Sequence, residues 1–277
     1  CKAASDLIPE EGAAPDLHLM PILPPEWKIE QRRVVGMWLR HSVAQFGWPS
    51  AQVTVAVETA EPATLSGALG HLSNHAAAKD APLAAIIVAC ASHIGEASVA
   101  QWAEQTTLFT PSRPHGFIPG EGAAGLLVTD IGQARAIDDA VFVVLCPACE
   151  ARRNSSADDI KRTDATVLRD VAMLALNRGA TGLSDVAMIV ADTGHRSNRM
   201  DELMGLALPA MPQLDAAADV VSVGLATGTC GAVPFVTALA LARHHVLERD
   251  ASALCISNED PFVRSAVLLQ PANAVPR

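Results

Sequence analysis

The nine residues Leu83–Ala91, LAAIIVACA, carry no charge and no polar side chain beyond one thiol. Pro82 bounds the run on one side and Ser92-His93 on the other. The run lacks the alternation of a strand with one wet face. It is also shorter than the roughly 20 residues a bilayer span requires. It predicts a strand covered on both faces, and such strands occur where helices pack on either side of a largely parallel sheet.

The neighbouring segments supply those helices. Val34–Phe46 reads as a helix with Trp38, Leu39 and Val43 on one face, ended by Gly47-Trp48-Pro49-Ser50. Val53–Glu58 alternates as a strand, Thr64–Ala78 and Glu96–Gln105 read as helices, and Gly125–Thr129 as a strand. The pattern then restarts, with strands at Val141–Cys146, Val186–Ala191, Val220–Gly224, Ser252–Ser257 and Ser265–Gln270. Helices are predicted between them at Ala165–Asn177, Arg199–Leu208 and Ala232–Leu247. Two successive sets of alternating strands and helices predict an α/β protein with mixed sheets, in two similar halves of about 34–135 and 136–277.

Residues 1–33 contain Pro9, Pro15, Pro21, Pro24 and Pro25 and no sustained periodicity. They read as an extended arm that either packs on the domain, with Leu19, Met20, Ile22, Leu23 and Trp27 to anchor it on an apolar groove, or is mobile. The chain opens Cys1-Lys2-Ala3-Ala4-Ser5 without an initiator Met. That opening is read as a piece cut behind a membrane anchor; a lipidated N-terminus and an arbitrarily chosen start are the alternatives.

Composition excludes several classes of function. Half the residues are hydrophobic and 18% are charged, which supports a large core and argues against disorder. Twenty basic and thirty acidic side chains give a net charge of −10, which repels nucleic acid. The one basic cluster is Gln31-Arg32-Arg33. With no Tyr, four Trp and six Phe, the chain lacks the stacking surfaces of a base or sugar binder.

The cysteines are Cys1, Cys90, Cys146, Cys149, Cys230 and Cys255, a spacing that does not suggest a disulfide scaffold in a chain of this size. Cys90 and Cys255 lie in apolar runs and read as buried thiols. Cys146-Pro-Ala-Cys149 sits on or after a strand, where positions i and i+3 point apart, and no second pair completes a zinc site. His71 and His75 have the i, i+4 spacing of two metal ligands, but no carboxylate pair accompanies them. No metal is expected. Gly120-Glu-Gly122-Ala-Ala-Gly125 matches the dinucleotide fingerprint letter for letter, but a loop precedes it and a strand follows it. The pyrophosphate would have no helix N-terminus to sit on, so no cofactor is expected.

The same stretch carries a different likeness. Phe109-Thr-Pro-Ser-Arg-Pro-His-Gly-Phe-Ile-Pro-Gly120-Glu121-Gly122-Ala-Ala-Gly125 resembles the central segment of β-ketoacyl synthases, a Gly-Phe-x-x-Gly-Glu-Gly-Ala run leading into a core strand. Val221-Ser-Val-Gly-Leu225-Ala-Thr-Gly228-Thr-Cys-Gly231-Ala232 is similar to that family's Ser-x-Lys…Gly-His-x-x-Gly-x-x-Gly-Ala segment. More weakly, Ala191-Asp192-Thr-Gly-His195 through Glu202 resembles its Ala-His-Gly-Thr-Gly-Thr…Asn-Asp…Glu run. The three matches fall in the family's order, and the likeness covers roughly residues 50–270. It implies a thiolase-like fold of two related halves with five-stranded sheets in α-β-α-β-α layers. It also implies that Gly120, Glu121, Gly122, Gly125, Gly228 and Gly231 form structural turns.

The resemblance implies where the chemistry should lie. Members attack an acyl thioester with a Cys at a helix N-terminus, where the dipole lowers the thiol pKa, and use imidazoles to stabilise an enolate oxygen. Here Glu61 falls on the nucleophile position, Asp192 on the first His position and Leu225 on the second. The last glycine-rich loop reads Ser257-Asn-Glu-Asp-Pro-Phe262 and contains no glycine. Residues that act as one catalytic unit fail together, so no catalytic residue is expected. In a competing register Ala89-Cys90-Ala91-Ser92 spells the family's nucleophile tetrapeptide, with His93 or His195 as base.

Three functions follow. The first is a catalytically silent synthase-like module that binds protein. More loosely, the chain resembles degenerate synthase-like adaptors of bacterial type VI secretion, which deliver lipase effectors to a secreted spike. That likeness implies an effector or spike partner and a site in the cytoplasm or on the cytoplasmic face of the envelope, with an anchored periplasmic form as the alternative. The second is an acyl-thioester enzyme using Cys90, or Glu61 with Asp192. The third is a non-catalytic subunit of a synthase dimer, a homodimer or pseudo-dimer.

Overall fold

A computed structural model describes residues 2–8, 15–56, 64–78, 82–137, 142–159 and 163–274. The chain divides into two compact units. One comprises Cys1–Cys90 and Ala123–Phe142, the other Ala91–Gly122 and Val143–Arg277. Among the described residues no helix is long and apolar enough to cross a membrane.

The first unit begins with a short helix α1 (Lys2–Ser5), then β1 (Asp16–Ile22), α2 (Ile29–Gln45), β2 (Val53–Val55), α3 (Leu65–Ala78) and β3 (Leu83–Ser92). After α4 (Glu96–Glu104), which belongs to the second unit, β4 (Glu121–Thr129) and α5 (Ile131–Ile137) complete it. The sheet order is β2-β1-β3-β4. β1 runs parallel to both β2 and β3. Asp130 N–H donates to Leu83 O and His93 N–H to Gly120 O, so β3 and β4 run antiparallel. As the continuous apolar run predicts, Leu83, Ala84, Ala85, Ile87 and Ala89 are buried on both faces of β3.

The extended arm expected over residues 1–33 is not what forms. Asp16–Ile22 is an interior strand whose Leu17 and Leu19 are fully buried, and α2 already starts at Ile29. Pro21 can sit in this strand because β2 pairs only Leu17–Leu19, so at Pro21 the ladder continues on one side alone and a missing N–H is tolerated. Helix α2 also turns differently from its sequence reading. Leu39 and Val43 pack into the core with Leu17, Leu19 and Val53, but Trp38 faces solvent on the opposite side.

The second unit contains β5 (Val143–Leu145), β6 (Cys149–Arg152), α6 (Thr166–Arg178), β7 (Val186–Ala191) and α7 (Ser197–Ala210). There follow β8 (Val220–Ser222), a short helix α8 (Gly224–Thr227), α9 (Val233–Arg249), β9 (Ser252–Ser257) and β10 (Val263–Pro271). The sheet order is β5-β10-β9-β7-β8, with β6 also on β10. β7 is parallel to β8 and β9, while β10 is antiparallel to β9, β5 and β6. The fully buried Leu168, Ile189, Leu203, Leu206, Leu254 and Leu268 lie in one cluster beneath it.

Strand order and direction repeat between the units. β8-β7-β9-β10 reproduces β2-β1-β3-β4, with a helix after the first strand, a helix after the second, and an antiparallel fourth strand. Where five strands per sheet are expected, four lie among the described residues of the first unit. In the second, β5 and β6 form one edge strand interrupted at Cys146-Pro147-Ala148. Leu145 pairs with Leu269 but Cys149 with Ala266, a shift of one residue. Pro147 cannot donate to a ladder, so the strand bulges there. The bulge also corrects the reading of the Cys-x-x-Cys pair: Cys146 and Cys149 do not point apart but both enter the same core cluster.

Candidate functional site

Three segments singled out in the sequence meet in the second unit. Thr229 N–H donates to Ile118 O at 2.8 Å and Gly120 N–H to Thr229 O at 3.2 Å, so the two glycine-rich segments lie side by side. At Gly120 a Cβ would stand 2.0 Å from Thr227 O, which only a glycine avoids. Gly228, at φ +67°, and Gly231, at φ +61°, turn the chain from α8 into α9. The third segment joins through Val223 N–H, which donates to Ala191 O at 2.8 Å. A Cβ on Gly224 would stand 2.2 Å from Asp192 O. Glu121, at the start of β4, accepts from the Ser92 hydroxyl at 3.0 Å. Gly122 faces Val233, and Gly125 approaches Ile87 O within its own sheet.

Asp192 follows β7 directly, in a buried position. Its Oδ1 accepts the backbone N–H of Asn258 at 2.9 Å and of Glu259 at 3.3 Å, and its Oδ2 accepts the Ser257 hydroxyl. Burial pushes its pKa up to about 6, with a smaller push from the Glu259 carboxylate, against the lowering effect of those three donors. The side chain thus clamps the loop after β9. That loop needs no glycine because side chains hold it. Thr193 Oγ1 donates to Asn258 Oδ1, Asn258 Nδ2 donates to Arg199 O, and Gly194 N–H donates to Glu259 Oε2.

Leu225, which the resemblance sets at the second imidazole position, is 56% exposed on α8. Phe109 and Ile118 are also exposed apolar side chains in these segments. His195 packs edge-on against Phe109, ring centroids 5.3 Å apart, and its buried Nε2 has no hydrogen-bond partner. His93 is buried and stacks on Trp102 at 4.8 Å. Cys90 lies within β3, six residues before α4, where no helix dipole acts on it; burial raises its thiol pKa. Glu61 lies outside the described residues. His75 packs edge-on against His18, ring centroids 4.8 Å apart, and among the described residues no three His, Cys, Asp or Glu side chains are grouped to hold a metal.

Sequence reasoning missed two features here. Cys230 stands just before α9, the place in the second repeat that corresponds to the start of α3 in the first. It is 1% exposed, its Sγ donates to Thr227 O and Gly228 O, and burial raises its pKa, so proximity to a helix N-terminus does not activate it. The second feature is an ionic network in which Arg153, Arg196, Arg199, Arg264 and Glu202 are buried. Glu202 binds Arg153 and Arg264 at 2.9 and 2.8 Å, and Asp158 binds Arg196 and Arg199 at 3.2 and 2.7 Å. Glu259 takes Arg196 at 2.6 Å. The spacing Arg196-x-x-Arg199-x-x-Glu202 is its one local signal; the other members come from distant loops and strands.

No protein-family model and no curated protein matches the sequence. Solved structures do match. The ishigamide ketosynthase/chain length factor aligns with TM-score 0.56 at 16% identity, over 95% of this chain and 75% of the other. An oxazolomycin ketosynthase domain of Streptomyces albus aligns with TM-score 0.63 at 13% identity, over 95% of this chain and 56% of the other. 3-Oxoacyl-[acyl-carrier-protein] synthase III of Aquifex aeolicus aligns with TM-score 0.56 at 13% identity, over 92% of this chain and 77% of the other. The fold is thiolase-like. The repeated strand order is the same architecture seen from inside the chain. At these identities the match establishes fold and no more, so the chemistry must be argued from the residues themselves. They are a buried His195 whose Nε2 has no hydrogen-bond partner, an Asp192 carboxylate that accepts three hydrogen bonds from its own chain, and an exposed Leu225.

Proposed function

We propose that this thiolase-fold protein is a non-catalytic module that works through protein contacts. The observation that carries the reading is Asp192, whose two oxygens are occupied by Ser257, Asn258 and Glu259 and so are withheld from any substrate. Leu225 adds to it, because a leucine cannot donate to an enolate oxygen. The exposed Leu225, Phe109 and Ile118 provide apolar surface instead of an acid–base pair.

Two kinds of partner follow. A subunit role beside an active synthase is supported by fold neighbours described as a ketosynthase with a chain length factor and as a ketosynthase in complex with an acyl-carrier protein. An adaptor role, loading a secreted effector on the cytoplasmic side of a bacterial envelope, is supported by the sequence resemblance. The test is intact mass after incubation with a panel of acyl thioesters. No adduct is expected; a stoichiometric acyl adduct on Cys90 or Cys230 would overturn the reading. Co-purification with a synthase or with a lipase-type effector encoded beside it then separates the two partners.

A further inference from the structure

Helix α2 has two apolar faces, and the fold of its own unit uses one. Gly36, Leu39 and Val43 are buried toward β1 and β2. On the other side Val34, Met37 and Trp38 are 58%, 65% and 64% exposed. At 100° per residue, exposed Glu30, Val34, Met37, Trp38, His41 and Gln45 fall within an arc of about 100°, roughly opposite the buried face. Tryptophan and methionine exposed together on a rigid helix are what protein interfaces bury at their centres.

Charge says what covers the stripe. Residues 26–45 hold four basic and two acidic side chains, in a chain of net charge −10. Exposed Arg33 and Arg40 lie on the same flank of the stripe, seven residues or about 10 Å apart along the axis, and Arg40 Nη2 donates to Val53 O, which holds that guanidinium at the edge of the stripe. A second copy packed antiparallel on this face would set Arg33 against Arg40 and bring like charges together. We propose that the Val34–Met37–Trp38 face docks an amphipathic helix of a partner protein, one that carries carboxylates seven residues apart beside its apolar seam. The proposal rests on the reading of this protein as a binding module, and it assigns the surface and the chemistry of the partner.

The experiment uses the full chain and two synthetic helices of equal length. One has leucines at the seam and glutamates seven apart on one flank; the other has lysines in place of those glutamates. The glutamate peptide is expected to bind, more weakly as salt rises. The double variant Met37→Ser/Trp38→Ser should lower its affinity at least tenfold with unchanged thermal unfolding. Arg33→Glu/Arg40→Glu should reverse the preference toward the lysine peptide, and this variant carries the test if the serine variant unfolds. Equal binding of both peptides, or binding of neither, would overturn the proposal. So would a wild-type dimer that the serine variant abolishes, or capture of the helix by phosphatidylglycerol vesicles. Acylation of a cysteine would sink the non-catalytic reading while leaving these peptide results standing, so the two failures are distinguishable.

Discussion

Asp192 holds Asn258: the carboxylate at the end of β7 accepts the backbone N–H of the residue just past β9, at 2.9 Å. This contact ties together two parallel strand ends. Burying the carboxylate there has a measurable cost. The folded carboxylate, with a pKa near 6 against an ordinary 3.8, holds a proton that the unfolded chain has released. Its contribution to stability is therefore fully present below about pH 4 and is lost as pH rises through 6, a difference on the order of 3 kcal/mol. Urea unfolding of wild type and Asp192→Asn across that window checks this. The stability of wild type relative to the variant should fall as pH rises, and parallel pH profiles would refute the assignment.

Glu202 is expected to be the most sensitive single charge. Glu202→Gln would leave the buried Arg153 and Arg264 without their shared counter-ion. Breaking such a pair from one side costs about 3–5 kcal/mol. Thermal or denaturant unfolding measures it, and a loss below about 1 kcal/mol would mean that water reaches the guanidinium groups.

Two glycine substitutions should move in opposite directions. Gly120→Ala drives a methyl group into the carbonyl of Thr227, a backbone atom that cannot step aside, and is expected to abolish soluble expression or lower Tm sharply. Gly70→Ala, inside α3 with nothing within 4 Å of the new Cβ, should stabilise by about 0.5–1 kcal/mol. Similar behaviour of the two would show that Gly120 does not lie against Thr227.

The described thiols are expected to be inert in the native protein. Cys146, pushed up to about 11 by burial and by the neighbouring Cys149, and Cys255, raised further by complete burial, have almost no thiolate at neutral pH. Iodoacetamide labelling followed by peptide mass mapping should modify Cys90, Cys146, Cys149, Cys230 and Cys255 readily only after denaturation. Rapid native labelling of Cys90 would revive it as a nucleophile.

Regular burial was legible in the sequence and exceptions to it were not. Leu83–Ala91, Val186–Ala191 and Ser252–Ser257 announce themselves because strands covered on both faces need unbroken apolar runs. β1 was hidden because Pro21 and His18 break its pattern; the short reach of β2, which makes Pro21 harmless, is a tertiary fact. The outward turn of Trp38 was hidden because a hydrophobic count does not say which of two apolar faces meets the sheet. At the site, the three glycine-bearing segments that meet there could be read from the resemblance to synthases. The partners of Asp192 and the Arg–carboxylate network could not, since their members lie tens of residues apart and meet only through strand pairing.

The interrupted edge strand limits strand pairing at the margin of the second unit's sheet. Pro147 offers no N–H along the outer rim of β5 and β6, and the one-residue shift twists that rim out of line. At the opposite rim β8 spans three residues. Neither margin is a long straight template, so the second sheet is poorly suited to recruit a strand from another molecule and grow into a fibre.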